Sequence, residues 1–419
     1  MIGQIDVRPE KFKLMAEFQM KKKIIPSRRT AKITYAVRDV ILLAEAAARQ
    51  GKEMTYLNIG DPNIFDFKTS PEIIAAVHQA MLANRNGYAP SSGIEAAREA
   101  IRENSRRKGI GPIRDVFVTT GASEAIDICL TALLNPGDNV LIPAPGYPLY
   151  SAIIHKLEAE PRFYYLDEDN GWQPDLEDIA SRIDDRTRGV VVINPNNPTG
   201  AVYREEVLRG IIKLARENDL LIFSDEIYDS LILDDGVKHI ATASLDPEAA
   251  VITLNGLSKN YLAPGFRIGW GIASGAEELM GDYLEAVNKL LRARLSASHP
   301  VQWAIRPALE GVQDHLVEAR EKLSRRRDIT VEMLNAIDGI SCVSPEGAFY
   351  AFPRLEIPGS DAEFVGELIK STGVVVVPGS GFGQRPGTSH FRVVFLAPEE
   401  VLERAYRAIG RFMESYLAK

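Results

Sequence analysis

A single lysine stands apart in the stretch LNGLSKNYLAPGFRIGW, residues 254–270. Lys259 lies between a serine and an asparagine, its next neighbours are apolar residues, Gly or Pro, and Arg267 follows eight positions later. Lysine is usually a solvated surface residue. Burial among apolar neighbours beside a cation lowers the pKa of a lysine, and the neutral amine can then attack an aldehyde or accept a proton. The stretch therefore predicts a reactive lysine.

Other polar residues follow apolar runs that read as strands. Asp225 ends the run LLIFS, Tyr228 comes three residues later, and Asn197 lies in the turn NPNNPTG after VVVI. A carboxylate at a strand end is costly unless it is paired or caps the backbone. Asp225 could face a cationic ring nitrogen and stabilise its protonated form, while Tyr228 and Asn197 reach a phenolic oxygen of the same ring. The simpler alternatives are a capping carboxylate and a plain turn.

A turn of small residues, Gly121-Ala122-Ser123, opens a predicted helix after the run FVTT. Free backbone N–H groups at a helix N-terminus suit a phosphate, although an N-cap by Ser123 is the simpler explanation of the turn alone. Arg267 and Ser258 could complete a phosphate cup. Because the chain contains no GxxxxGK[ST] signature, a phosphorylated cofactor is favoured over a nucleotide.

The elements that position these residues alternate between strands and helices. From about residue 115 to 273, helical patterns separate the runs FVTT, VLIP, VVVI and LLIF, which are apolar without alternation, as in strands buried on both faces. The series predicts an α/β fold with a mainly parallel sheet. Ligands bind beyond the carboxyl ends of such strands. Tyr147, which follows VLIP, could stack on a ring there or be an ordinary core tyrosine.

The chain divides into three predicted segments. An N-terminal arm and helix, residues 1–69, are assigned to a small domain, and the helix YAVRDVILLAEAAARQG is expected to pack there. Residues 70–310 form the large domain. After a long helical region the pattern changes to short strands and two helices, so residues 311–419 are predicted as a smaller α+β domain.

Composition excludes several classes of partner. With 419 residues, 45% of them hydrophobic and 25% charged, the chain is an ordinary globular protein with room for a large and a smaller core. Its net charge of -8 disfavours nucleic acid and anionic membranes.

Cysteine and histidine usage narrows the setting further. Cys129 and Cys342 are too few for a disulfide framework, and the absence of an apolar signal run makes the cytoplasm the expected location. The six histidines lack ligand spacing, so no metal is predicted. The segment GSGFG at residues 379–383 opens no helix and reads as a turn rather than a dinucleotide loop.

Taken together, these sequence motifs resemble those of a known family. From about Leu57 to the C-terminus the chain resembles the fold type I aminotransferases of class I/II, through LNIGDP, GYAPSSGIEAAREAI, GASEAI, APGYPLY, NPNNPTG, SDEIY, GLSKNYLAPGFRIG and FRVVF. The resemblance implies a transaminase that uses pyridoxal 5'-phosphate. It also implies a large domain with a seven-stranded, mainly parallel sheet flanked by helices, a small α+β domain, and a homodimer with shared active sites.

The resemblance assigns roles to individual residues. Lys259 matches the lysine that holds the cofactor as a Schiff base and moves the proton between substrate and cofactor, and Asp225 matches the partner of the ring nitrogen. Arg392 in HFRVVF matches the arginine that binds the substrate α-carboxylate, with the Gly60 backbone and Asn197 nearby. The other implied cofactor contacts are Gly121, Ala122, Ser123, Tyr147, Asn197, Tyr228, Ser258, Arg267 and, from the neighbouring subunit, Tyr88.

One position departs from the family pattern, and one residue bears on the substrate. Gly256 stands where the family often has a phosphate-binding serine, which puts one hydroxyl contact in doubt. Arg294 lies where some relatives place an arginine that crosses the dimer to a distal carboxylate, although a solvated helix charge is the alternative.

The spellings LNIGDP, NPNNPTGAVY, FSDEIYD and NGLSK look most like the alanine aminotransferase group, which exchanges amino groups between alanine and 2-oxoglutarate. Three alternatives share the fold. They are an aminotransferase with aspartate, aromatic or branched-chain preference, a carbon-sulfur lyase, and a non-enzymatic regulator, of which the last normally carries an added DNA-binding domain.

Overall fold

The computed structural model describes residues 24–33 and 36–418. Most of the predicted N-terminal arm, residues 1–23, therefore lies outside the described residues. None of the described helices is long and apolar enough to cross a membrane.

The described strands and helices are numbered in chain order. The strands are β1 (Thr55–Tyr56), β2 (Ile113–Thr119), β3 (Asn139–Ala144), β4 (Glu160–Asp167), β5 (Gln173–Pro174), β6 (Thr187–Ile193), β7 (Leu221–Asp225), β8 (Val251–Gly256), β9 (Gly269–Ser274), β10 (Ile340–Ser341), β11 (Tyr350–Ala351), β12 (Arg354–Leu355), β13 (Val374–Val375), β14 (Val377–Pro378) and β15 (Phe391–Val394). The helices are α1 (Ala36–Arg49), α2 (Pro71–Leu82), α3 (Glu95–Arg107), α4 (Ala122–Leu133), α5 (Leu149–Lys156), α6 (Leu176–Ser181), α7 (Glu205–Glu217), α8 (Glu277–Ala293), α9 (His299–Gln302), α10 (Ile305–Glu310), α11 (Asp314–Asn335), α12 (Asp361–Thr372) and α13 (Glu399–Leu417).

A single large sheet carries the order β2-β9-β8-β7-β6-β3-β4-β5. Its central pairs are parallel, β9 runs antiparallel to both of its neighbours, and β5 runs antiparallel to β4. The predicted α/β class is confirmed. The sheet has eight strands instead of the expected seven, because the two-residue strand β5 folds back along the edge of β4.

The central strands are buried because helices cover the sheet. Every residue of β3, β7, β8 and β9 is buried, which agrees with the apolar runs VLIP in β3 and LLIF in β7. Since β2 and β8 both run antiparallel to β9, the carboxyl ends of β2, β3, β6, β7 and β8 lie at one edge of the sheet. That edge is where the sequence predicted a ligand site.

An N-terminal segment of the described residues packs against the C-terminal region. Strand β1 pairs in parallel with β13, and helix α1 packs against α12. A three-stranded antiparallel sheet, β11-β15-β14, carries Arg392 on β15 and Tyr350 on β11. The C-terminal region therefore faces the strand ends of the large sheet with its own polar side chains.

Candidate active site

One cavity of about 570 Å³ lies at the carboxyl edge of the large sheet. Its wall comes from residues that are far apart in the sequence, and most of the predicted site residues are among them. These are Gly60, Ala122, Ser123, Tyr147, Asn197, Asp225, Tyr228, Ser258, Lys259, Arg267 and Arg392. The structure thus brings the strand-end motifs to one place, as parallel strand ends require.

Lys259 lies on the loop that follows β8. Its Nζ donates a hydrogen bond to the Gly60 carbonyl oxygen at 2.6 Å and lies 5.5 Å from the centre of the Phe349 ring. Burial lowers the pKa of Lys259 to about 8, the charges of Arg392 and Arg267 act in the same direction, and Asp61 opposes them. A substantial fraction of this amine is therefore neutral near pH 8, as nucleophilic attack requires.

Asp225 ends β7 and is 4% exposed. Tyr150 Oη donates to Asp225 Oδ2 at 3.0 Å, and the Ile227 N–H approaches Oδ1 at 3.4 Å. Burial is the main cause that raises the pKa of Asp225 to about 6, against the two hydrogen bonds. A cationic partner at this point would restore the ordinary acidity of the carboxyl, which suits a protonated ring nitrogen.

A pair of tyrosines closes another side of the cavity. The hydroxyls of Tyr228 and Tyr350 lie 2.8 Å apart, and both residues are buried. Burial chiefly raises the pKa of Tyr228 well above its ordinary value, so this residue stays a neutral hydrogen-bonding group. Glycine is required at position 60, because a Cβ there would collide with the Tyr350 hydroxyl.

Arg392 on β15 is a buried residue, at 3% exposure. Its Nη1 donates to Asn197 Oδ1 at 3.1 Å and its Nη2 to the Asn58 carbonyl at 2.7 Å. The guanidinium carbon lies 4.6 Å from the Tyr350 ring centre and 4.8 Å from that of Phe382. Stacking and hydrogen bonds fix the planar group, which prepares it to bind a carboxylate.

The start of α4 and the loop before β9 form an anion cradle. Gly121 has a φ of 81° and precedes Ala122, the first residue of the helix, whose leading N–H groups lack partners within the helix. Arg267 Nη2 donates to Ser123 Oγ at 3.4 Å, and Nη1 donates to the Pro264 carbonyl at 2.9 Å. A cation beside a helix N-terminus is a suitable site for a phosphate.

The structure explains the glycine at position 256. A Cβ on Gly256 would lie 2.7 Å from the Ile268 carbonyl oxygen and 3.0 Å from Gly269 Cα. This residue pairs with Gly269 across β8 and β9, so two backbones approach closely there. A serine at this position would force the strands apart, and the cavity instead takes a hydroxyl from Ser258.

Of the predicted residues that do not line the cavity, Gly121 adjoins it at the start of α4, whereas Tyr88 and Arg294 lie outside the cavity of their own chain. Tyr88 is 85% exposed. Arg294 Nη2 donates to the Val118 carbonyl at 2.7 Å and to the Ser91 carbonyl at 3.3 Å, and its side chain is only 16% exposed. Burial lowers the pKa of Arg294, against the charge of Glu124. Arg294 is therefore not a solvated helix charge.

Sequence reasoning missed three residues that shape the site. Tyr150 lies three residues after Tyr147 in APGYPLY, Tyr350 lies in GAFYAF, and Asn58 supplies only its carbonyl. The motif APGYPLY was a usable signal for Tyr150, because it follows β3 at the carboxyl edge of the sheet. A backbone carbonyl leaves no signal in a sequence.

Together these groups fit pyridoxal phosphate. The cradle at Arg267 and α4 suits its phosphate, the buried Asp225 suits its ring nitrogen, and Lys259 presents an amine of lowered pKa to its aldehyde. The fit rests on these hydrogen-bond donors and on the Asp225 carboxylate, which forms no salt bridge with a cationic side chain among the described residues.

Comparison with known proteins agrees with this interpretation of the cavity. The family model described as aminotransferase class I and II matches residues 52–409. The glutamate-pyruvate aminotransferase AlaA of Haemophilus influenzae is 40% identical over 375 residues, which cover 88% of this chain and 92% of that protein. The alanine aminotransferase of Mycobacterium tuberculosis is 40% identical over 413 residues, covering 96% and 95%.

The solved structures agree with the sequence relatives. The alanine aminotransferase from Pyrococcus furiosus has a TM-score of 0.91 to this chain at 40% identity, and the match covers 93% of this chain and 100% of that one. The likeness therefore extends over both the large sheet and the C-terminal region.

Proposed function

The chain belongs to the class I and II aminotransferases, and we propose that it exchanges the amino group between L-alanine and 2-oxoglutarate. The observation that carries the proposal is the meeting of Lys259, Asp225 and Arg392 in one cavity. The family depends on pyridoxal phosphate. The names of the relatives favour alanine and glutamate as amino donors and pyruvate and 2-oxoglutarate as acceptors.

Residues around the cavity would hold the cofactor at three points. Arg267, Ser258 and the start of α4 would bind its phosphate, and Asp225 its ring nitrogen. Asn197 and Tyr228 would bind its ring oxygen, with Tyr147 against the ring. When bound, pyridoxal phosphate supplies the carbonyl carbon that takes up the amino group and a conjugated ring that withdraws electrons from the substrate α-carbon.

Arg392 would bind the substrate, and Lys259 would transfer the proton. The fixed guanidinium of Arg392 binds the α-carboxylate, which alanine, glutamate and both oxo acids share. This anchor sets the α-carbon at a constant position. Lys259 Nζ has a pKa lowered to about 8. It accepts the proton from the α-carbon of the amino acid in one half of the exchange, and it gives a proton to the α-carbon derived from the oxo acid in the other half.

Asp225 is the group that would face the ring nitrogen. Its buried carboxylate would keep that nitrogen protonated, and Tyr150 keeps Asp225 in place through the 3.0 Å hydrogen bond. The pKa values of the two groups are shifted in opposite directions. The lowered pKa of Lys259 provides a neutral base, and a protonated ring nitrogen beside Asp225 would keep that carboxylate ionised.

Two parts of the site depend on a second copy of the chain. We infer a homodimer in which Tyr88 reaches the neighbouring cavity, and its 85% exposure on a monomer supports that role. Arg294 would reach a distal carboxylate across the dimer only by giving up its bonds to Val118 and Ser91. Sedimentation velocity tests the dimer. A fall in kcat/KM for glutamate but not alanine in Arg294→Ala tests the second role.

Mixing the cofactor-loaded enzyme with L-alanine and no acceptor tests the reaction. The proposal expects pyruvate in a one-to-one ratio with sites and bleaching of the cofactor absorbance, followed by recovery on adding 2-oxoglutarate. Continuous release of ammonia and pyruvate from cysteine without an acceptor would instead indicate a carbon-sulfur lyase. A panel of alanine, aspartate, aromatic and branched-chain donors, compared by kcat/KM, ranks the remaining specificities.

A further inference from the structure

A buried polar cluster lies behind the active site. It consists of Asp229 and the four side chains that donate to it, and we call it the Asp229 cluster: Asp229, Lys108, Ser230, Asn255 and Asn260. None of these five residues lines the active-site cavity. The side chain of Asp229 is only 2% exposed.

Asp229 accepts a hydrogen bond at each of its lone-pair sites. Asn260 Nδ2 donates to Oδ1 at 2.7 Å and Ser230 Oγ donates to the same oxygen at 3.0 Å. Asn255 Nδ2 donates to Oδ2 at 3.0 Å, and the ammonium of Lys108 also contacts Oδ2. Four donors saturate a carboxylate, so its position is fixed by its neighbour Ser230 and by the segments that carry Lys108, Asn255 and Asn260.

These donors come from both sides of the reactive lysine. Asn255 is the next-to-last residue of β8, and Asn260 follows Lys259 directly. Asp229 itself follows Tyr228 in the segment that begins with Asp225. The Asn260 amide also accepts from the Ser230 N–H at 3.3 Å. One carboxylate therefore ties the lysine loop to the segment that carries Asp225 and Tyr228.

Charge holds the carboxylate ionised. Burial opposes ionisation of Asp229, but the charge of Lys108 and the hydrogen bonds outweigh it and keep the pKa of that carboxyl below its ordinary value. Hydrogen bonds to an ionised acceptor are roughly twice as strong as neutral ones. The contacts to Asn255 and Asn260 are therefore firm restraints on the loop between them.

The neighbouring carboxylate of Glu226 contacts a different set of residues. Glu226 accepts from Ser224 Oγ at 2.8 Å and from the Thr242 N–H at 3.0 Å, and His239 Nε2 lies 3.7 Å from it. Glu226, Asp229 and His239 also have the spacing of a cation site. Lys108 already supplies the positive charge against Asp229, so these groups do not call for a metal ion.

We propose that Asp229 is a positioning residue that, through Asn255 and Asn260, fixes Lys259 relative to Asp225 and Tyr228. The proposal rests on the proposed function in one respect, because it takes Lys259 as the residue that carries the cofactor. Gly256 offers no side chain beside this loop, so Asn255 is the side-chain anchor on that flank. A loop displacement of about 1 Å is enough to lower a rate about 10²-fold.

Asn260→Ala and Asp229→Asn test the proposal, with Glu226→Gln as the matched control. Asn260→Ala removes one link to the lysine loop and leaves the Lys108–Asp229 pair, so it is the variant expected to fold. Asp229→Asn keeps the size but weakens all four contacts. Glu226→Gln changes an equally buried carboxylate whose side-chain partners are Ser224, Thr242 and His239, and it keeps the backbone carbonyl that accepts from Asn255. Thermal unfolding verifies that each variant is folded.

The principal readout is the pH titration of the bound cofactor's visible absorbance, without any amino acid. We expect Asn260→Ala to shift the midpoint of this titration by about one pH unit, because a shift of that size reflects a substantial change in the surroundings of Lys259. Glu226→Gln should leave the midpoint within about 0.3 unit of the native value. In turnover, kcat of Asn260→Ala should fall about 10- to 10²-fold while KM for alanine, set at Arg392, changes less than about threefold.

Three results would overturn the proposal. One is a native midpoint and kcat in folded Asn260→Ala, and another is an equal shift in Glu226→Gln. The third is a fall in unfolding temperature of Asn260→Ala with no change in midpoint, which would leave a merely structural role. If the native enzyme makes no pyruvate from alanine, the proposed substrate fails, but the substrate-free titration still decides the role of Asp229.

Discussion

Replacing Arg392 by lysine separates carboxylate binding from the rest of the chemistry. The guanidinium is buried between two rings and donates to Asn58 and Asn197. Lysine keeps the positive charge but loses the planar fork, so it cannot hold a carboxylate with two parallel hydrogen bonds. Arg392→Lys should therefore weaken the binding of every substrate that enters with an α-carboxylate.

The magnitude follows from the contact that is lost. One hydrogen bond to a charged group contributes about 1.5–3 kcal/mol, which corresponds to about a 10- to 150-fold fall in kcat/KM for alanine. The buried Asn58 carbonyl also loses its 2.7 Å donor, so the variant should unfold at a somewhat lower temperature. Absorbance of the bound cofactor should stay native, because the phosphate cradle lies at Arg267.

The assay compares two amines in single turnovers without an acceptor. L-Alanine and ethylamine both carry a reactive amino group, but only alanine has a carboxylate. Arg392→Lys should slow bleaching of the cofactor by alanine and leave the slow reaction of ethylamine within about twofold. An equal loss for both amines would mean that the change disturbs the whole site, and native kinetics with alanine would remove Arg392 from carboxylate binding.

Three further perturbations probe the other groups of the cavity. In cofactor-free protein, acetic anhydride should acetylate Lys259 with a midpoint near pH 8, because burial lowers the pKa of this lysine to about 8. Peptide mass spectrometry measures the extent of acetylation at each pH. A midpoint above pH 10 would contradict the lowered pKa. Asp225→Ala should lower kcat about 10²- to 10³-fold, as loss of a preorganised charge partner does, and near-native turnover would exclude that role. Tyr350→Phe removes one partner of the Tyr228 hydroxyl and should lower kcat about 2- to 13-fold, the equivalent of one neutral hydrogen bond, while an unchanged kcat would show that the 2.8 Å contact is dispensable.

The sequence predicted which residues meet in one cavity where strand ends carry them. Asn197, Asp225 and Lys259 each follow an apolar run, and parallel strands bring their carboxyl ends to one edge. Each residue alone had a simpler explanation, as a turn, a cap or a surface charge. Their convergence in one cavity favours a shared site over those separate explanations.

The sequence was less informative where contacts join distant segments. The Asp229 cluster draws Lys108, Asn255 and Asn260 to a residue that is separated from Lys108 by 121 positions. Arg294 was a candidate for binding a distal carboxylate, and the sequence did not show that its guanidinium donates to the carbonyl groups of Val118 in β2 and of Ser91. The close approach at Gly256 depends on two paired backbones. Such details come from packing, which periodicity and spacing do not encode.

The central claim is that Lys259 carries the cofactor, and one measurement tests it directly. The loaded enzyme is reduced with borohydride, digested, and analysed by mass spectrometry for the peptide to which the reduced cofactor is attached. The account predicts stoichiometric attachment to Lys259 alone, and no attachment together with loss of the visible absorbance in Lys259→Ala. Attachment to a different lysine, or native absorbance in Lys259→Ala, would contradict it.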